Sequence, residues 1–248
     1  MSPKKIVIVL LGWCLILSSC ALKEPLPAKP EAEAKNYSFY FRQGVTFLNR
    51  GDYADAIGEF SKAIALNPNS ARAYNLRGVA FFQLKNYKDA EEHFQKAISL
   101  DGSYVEAHNN LGSLYFAKRQ FDKAKDMFLK TLSLSPDSIS ALYSLGTLLL
   151  LQGKDEEGMS YLSRGIELDP EFLETHKALV LGLSTPGSEM AAVYFAYAKV
   201  YAARGNISKT VEFLKKAQKA GFIDWKRIME EKEFEAVRGD PKLKEFIR

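Results

Sequence analysis

The 248-residue chain has two cysteines, Cys14 and Cys20, and none after residue 20. No disulfide can staple the body of the protein, so its stability must come from packing. Histidine is nearly as scarce, with His93, His108 and His176 only, and no HExxH or paired-cysteine spacing accompanies them. No metal and no other cofactor is expected on that basis. The glycines form no phosphate loop and the serines no GxSxG elbow, so the chain reads as non-enzymatic, without a small-molecule substrate. A hydrolase with an unrecognised site is the alternative from that class. The apolar run near the start, Ile6–Leu17, is twelve residues, too few to span a bilayer. The formal charge of +4 falls to +2 once Lys4 and Lys5 are set aside. That balance argues against a nucleic-acid surface and gives no reason for electrostatic membrane binding.

What the chain does have is a 34-residue pattern written four times between Tyr37 and Phe172. Glycine recurs at Gly44, Gly78, Gly112 and Gly146, and the same size classes return around it: Tyr40, Tyr74, His108, Leu142; Phe47, Phe81, Tyr115, Leu149; Ala56, Ala90, Ala124, Gly158; Phe60, Phe94, Phe128, Leu162. Each unit closes on a leucine and then a helix breaker, at Pro68, Gly102, Pro136 and Pro170. The glycine suits the crossing of two helices, where a side chain would hold the backbones apart, and the small residue of the second helix faces the same crossing. This period and these residue classes resemble the tetratricopeptide repeat, in which each unit is a helix, a tight turn and a second helix. The resemblance implies an all-α fold, a right-handed superhelical solenoid of helical hairpins with a C-terminal capping segment.

Within the units the first helices are expected at about Tyr37–Arg50, Ala71–Leu84, Tyr104–Lys118 and Ser138–Leu151. The second helices are expected at about Tyr53–Leu66, Tyr87–Leu100, Phe121–Leu134 and Asp155–Glu167. Gly51-Asp52 and Gly153 mark two hairpin turns, where positive φ suits glycine and an aspartate can cap the next helix. Lys85-Asn86 and Arg119-Gln120 occupy the other two turns and are less diagnostic. A fifth unit begins at Leu173 and fails, with Val180 in place of the crossing glycine and Ser184-Thr185-Pro186-Gly187-Ser188 cutting the chain. Residues 173–190 therefore read as an irregular insert, and 191–224 as a further hairpin of the same kind. From 225 to 248 the sequence resembles the closing segment that follows the last repeat in bacterial members, with Trp225, Ile228, Phe234, Leu243 and Phe246 as its buried side.

The first nineteen residues have the layout of a secretory signal: Lys4 and Lys5, the apolar run, then small residues. Leu17-Ser18-Ser19-Cys20 resembles the lipobox of bacterial lipoproteins, which implies lipidation of Cys20 as the first mature residue. Ala21 in the next position implies the outer membrane, with the protein facing the periplasm. A periplasmic or secreted protein without an anchor is the alternative. Residues 20–36, with Pro25, Pro27 and Pro30, read as an unstructured tether, reaching up to about 50 Å if extended.

A solenoid of this kind binds on its inner side, which the first helices line. The residues one step beyond the packing aromatic are Phe41, Asn75, Asn109 and Tyr143; one turn on stand Val45, Val79, Ser113 and Thr147, with Phe82 and Phe116 beyond. They are expected to form a groove that is half apolar and half amide, with Phe82 and Phe116 equally able to pack against the next unit. Phe41 and Val45 stand where carboxylate-gripping members carry lysine and asparagine, and Glu106 replaces another lysine. Arg72 and Asn110 offer partial relief. The expected partner is accordingly a protein or an extended or helical peptide segment, its backbone met by the asparagine amides. The function this implies is an envelope-anchored adaptor for assembly of a pilus, secretion or cell-wall machine, with an unanchored co-chaperone as the alternative.

Overall fold

The computed structural model describes residues 29–172, 188–244 and 246, and among these there are helices and turns but no strand. Four helical hairpins come first: α1 Lys29–Arg50 with α2 Tyr53–Leu66, α3 Ala71–Gln83 with α4 Tyr87–Leu100, α5 Val105–Ala117 with α6 Phe121–Leu134, and α7 Ile139–Leu151 with α8 Asp155–Leu168. A fifth, α9 Ser188–Ala202 with α10 Ile207–Lys219, is followed by the single turn α11 Arg227–Glu230 and two 3-10 turns, Lys232–Phe234 and Pro241–Leu243. Each second helix packs on the first helix of the next unit through the fourth, so the chain advances as a stack.

The crossing inside each hairpin is set by one contact. Phe60, Phe94, Phe128 and Leu162 lie against Gly44, Gly78, Gly112 and Gly146, and a Cβ added at any of these glycines would meet that side chain at 2.7–2.8 Å. In the fourth hairpin the approach is backbone to backbone, because a Cβ on Gly146 would also stand 2.9 Å from the Gly158 carbonyl oxygen. Ala56, Ala90 and Ala124, the small residues of the second helices, have no exposed surface. A larger group on either side would push the helices apart and open the ring's pocket.

The turns repeat as faithfully as the crossings. Gly51, Lys85, Arg119 and Gly153 all adopt positive φ, at 85°, 59°, 58° and 73°. The next N–H in each case returns to the carbonyl five residues back, from Asp52 to Phe47, Asn86 to Phe81, Gln120 to Tyr115 and Lys154 to Leu149, at 2.8–2.9 Å. This is the left-handed helix stop that glycine usually makes. Lys85 and Arg119 make it at a steric cost of about 1–2 kcal/mol each. Asp52 does not cap α2 with its side chain, contrary to the sequence expectation, whereas Asn86 accepts a hydrogen bond from the Asp89 N–H at the start of α4.

Three boundaries differ from the sequence reading. Helix α1 begins at Lys29, so residues 29–36 of the expected tether are helical; Pro30 falls in the first turn, where its missing N–H costs nothing and its fixed φ suits a helix start. Helix α9 begins at Ser188 and takes the last three residues assigned to the insert, whose remainder, with His176, lies outside the described residues. The signal, Cys20 and the tether up to residue 28 lie outside them too. The C-terminal segment forms single turns in place of full cap helices. It still buries Ile228, Phe234, Val237, Leu243 and Phe246. Lys199 on α9 holds it through Glu231 at 2.6 Å, and the Arg238 guanidinium donates to the carbonyls of Ile228 and Glu231.

Gly112→Ala is expected to destabilise the protein by about 1–3 kcal/mol through overpacking against Phe128. Gly58→Ala, in the interior of α2 with open space around it, should instead stabilise by about 0.5–1 kcal/mol. Urea denaturation of both variants checks the pair, and equal effects would remove the crossing contact from the account.

Candidate interaction groove

Phe41 is the first groove position, and it forms the floor of a cleft of about 600 Å³ between α1 and α3. Its ring stacks on Tyr37 at 5.6 Å, meets Phe60 edge-on at 5.8 Å, and carries the Arg72 guanidinium 5.0 Å above its centre. Tyr37, Ser38, Arg42, Val45, Thr46 and Arg72 complete the lining. The Tyr37 hydroxyl and Ser70 Oγ are 2.7 Å apart, and Ser70 in turn caps α3 by accepting from the Ala73 N–H at 3.1 Å. The capping residue thus ties the cleft's near wall to the far one. Arg42 and Arg72 are exposed, and among the described residues neither is within ion-pair distance of a carboxylate. The sequence-predicted Phe41, Val45 and Arg72 therefore line one open cleft of mixed polar and apolar character, together with Arg42.

The asparagines behave differently from the sequence expectation. Asn75 is 2% exposed, and its Oδ1 accepts a hydrogen bond from Asn110 Nδ2 at 2.9 Å. This bond ties α3 to α5, and the burial of Asn75 keeps its amide from a partner backbone. Asn109 is 6% exposed with its Oδ1 buried and unpaired, and its backbone carbonyl accepts from Ser113 Oγ at 3.0 Å. Asn75 faces Asn110, one residue beyond its own counterpart Asn109, so the two expected groove amides do not stand side by side. Val79 and Phe82 are half-buried, with Phe82 tilted on Tyr87 at 5.7 Å. Phe116 is buried against Phe121.

At the fourth unit the inner side is closed. Tyr143 is sandwiched between Phe172 at 5.1 Å and Tyr197 at 6.3 Å, and its hydroxyl donates to the Asp169 carbonyl at 3.3 Å. Thr147 is 1% exposed, its Oγ1 3.0 Å from the Tyr197 hydroxyl. Tyr197 belongs to α9, which packs against both α7 and α8. Burial pushes the Tyr143 and Tyr197 hydroxyls well above the ordinary phenol range, and that of Tyr201 up to about 12. Tyr143 and Thr147, expected in the groove, are core residues beneath a helix of the chain itself. One signal for this lay in the sequence, because the leucines of ISALYSLGTLLLL run around the whole helix, and the structure buries Ala141–Leu150 at every position. His108, read as a packing residue, is buried and donates Nε2–H to the Gly102 carbonyl at 3.0 Å.

Three family models, each described as a tetratricopeptide repeat, match residues 41–105, 105–138 and 139–172. Together they cover just over half of the chain without a break. Among solved structures, PilF of Pseudomonas aeruginosa is 17% identical with a TM-score of 0.54, covering 83% of this chain and 97% of that one. MamA is 20% identical with a TM-score of 0.51, covering 80% and 97%. These likenesses are of fold. No curated protein matches the chain.

Asn75→Ala should destabilise by about 1–3 kcal/mol, since it strands the Asn110 donor in a part-buried interface. Arg72→Ala, at an exposed rim, should cost less than about 1 kcal/mol. Thermal melts that rank the two the other way would contradict the buried network.

Proposed function

The chain belongs to the tetratricopeptide repeat family, and we propose that it is a non-catalytic scaffold that holds a partner protein by a short segment in the α1–α3 cleft. The observation that carries this reading is the cleft itself, where Phe41 and Val45 offer an apolar floor and Arg42 and Arg72 stand at its rim. Such a cleft suits a segment that buries one large side chain and presents an acidic group beside it. Closure of the inner side at Tyr143 and Thr147 concentrates binding in the first units. The scaffold reading rests on the family and on this cleft, with no catalytic constellation invoked.

The anchoring part of the proposal rests on sequence. Leu17-Ser18-Ser19-Cys20 after a charged start and a twelve-residue apolar run supports lipidation of Cys20 and a place on the periplasmic side of the bacterial outer membrane. A scaffold held there would serve assembly of an envelope complex, whether of pilus, secretion or cell-wall type. A periplasmic or secreted protein with the same cleft is the second reading.

Two experiments separate these statements. Metabolic labelling with a fatty-acid probe should mark the wild type and not Cys20→Ala, and an unlabelled wild type would remove the anchor while leaving the cleft untouched. Photo-crosslinking from position 45 in cells should yield a defined adduct that falls about tenfold in Arg42→Glu with Arg72→Glu, the scale of about 1.4 kcal/mol. Undiminished adduct formation would move the partner elsewhere on the solenoid.

A further inference from the structure

A separate cleft of about 500 Å³ opens between α3 and α4 of the second unit and shares no lining residue with the first. Tyr74 and Arg77 form one wall, and Glu92, His93, Gln95 and Lys96 lie on the other. The Arg77 guanidinium is 5.5 Å from the centre of the Tyr74 ring and Lys96 Nζ is 6.0 Å from it, so two cations stand against one aromatic ring. Arg77 donates one Nη1–H to Ser61 Oγ at 3.0 Å, while its Nε is buried without an acceptor. Among the described residues neither cation has a carboxylate within ion-pair distance. Glu92 lines the same cleft but acts on Arg77 only through space.

Comparison along the repeat shows what is particular to this unit. Lys62 and Arg164, at the register of Lys96 in the first and fourth units, are each paired, to Glu59 and Asp137 at 2.6 Å. Among the described residues Lys130 in the third unit has no such partner either, but Leu111 and Met127 occupy the positions of Arg77 and His93, so neither of those positions brings a second cation. The second unit alone sets an arginine and a histidine at these two positions. The histidine does not supply the missing negative charge. Its Nδ1–H goes to the Asp89 carbonyl at 2.7 Å, its other ring nitrogen is buried without a partner, and the ring lies 5.1 Å from Phe81 and 6.0 Å from Tyr74.

A pair of like charges drawn toward one partly buried ring, with Glu92 in the same cleft but no carboxylate paired to either, is stabilised by a further anion. We infer that this cleft is a site for an oxyanion, a carboxylate or a sulfate- or phosphate-type group, held by Arg77 and Lys96 beside the Tyr74 ring. The two sources of that chemistry are a free ion and an acidic side chain of a bound protein. Gln95 is partly engaged, its Nε2 3.5 Å from the Tyr115 hydroxyl, which leaves the guanidinium and the ammonium to make the charge-assisted contacts.

His93 is a built-in reporter of occupancy. Its pKa lies below the ordinary imidazole range, first because it is buried and next because Arg77 is near, with Glu92 and Asp89 acting weakly the other way. An anion in the cleft offsets the Arg77 charge and must raise it. The experiment is NMR titration of the His93 ring, assigned by its loss in His93→Gln, in sodium sulfate and in sodium chloride at equal ionic strength. Sulfate should raise the His93 pKa by about half a unit or more over chloride, with the rise lost in Lys96→Gln, an exposed position that leaves the fold intact. A parallel titration with tetraglutamate distinguishes the sources, since a rise with the peptide alone assigns the site to a protein-borne carboxylate. Equal values in sulfate, tetraglutamate and chloride, or an undiminished rise in Lys96→Gln, would overturn the assignment.

Discussion

Everything in this structure depends on how closely two helix backbones approach inside each hairpin. A glycine on the first helix, an alanine or glycine on the second, and a ring or leucine laid across the glycine fix that distance four times over. Because the crossing is the same in every unit, the outward-facing residues return to the same bearing each 34 positions, and the stack grows as a surface with a constant register. With no cysteine after residue 20 to add a cross-link, these contacts and the apolar layers between units carry the stability.

The same geometry that makes a continuous inner surface also exposes it to capture by the chain's own later elements. In the first unit the inner side is an open cleft with an aromatic floor and a cationic rim. In the second and third it is taken up by the Asn75–Asn110 bond and its neighbours. In the fourth it is sealed by α9 through Tyr197. A surface that is periodic in sequence is therefore graded in accessibility.

Much of this was legible in the sequence and some was not, for physical reasons. Helix ends in the first four hairpins fall within about one residue of the sequence reading apart from the start of α1, since breakers and caps are local signals. The turns at Lys85 and Arg119 carry no glycine, yet they take the same left-handed stop, closed by the hydrogen bonds that the Phe81 and Tyr115 carbonyls accept. Groove membership was the weaker inference. Offsets say which bearing a residue has, but not what later segment lies there, so Tyr143 and Thr147 are buried while Phe41, Val45 and Arg72 line one cleft. Asn75 was assigned by its own offset, and its actual partner, Asn110, sits one position further on.

The inner face is open where α1 meets α3 and closed at the fourth unit by α9. This contrast can be tested by reaction with a thiol reagent, because a chain with Cys14 and Cys20 replaced by serine has no background thiol. Single cysteines at Arg72→Cys and Thr147→Cys place one thiol on the open rim and one beneath Tyr197. The rim thiol should react at the rate of a free cysteine and the buried one at least about a hundredfold more slowly, limited by local opening. Equal rates at the two positions would contradict the closure of the groove and the account built on it.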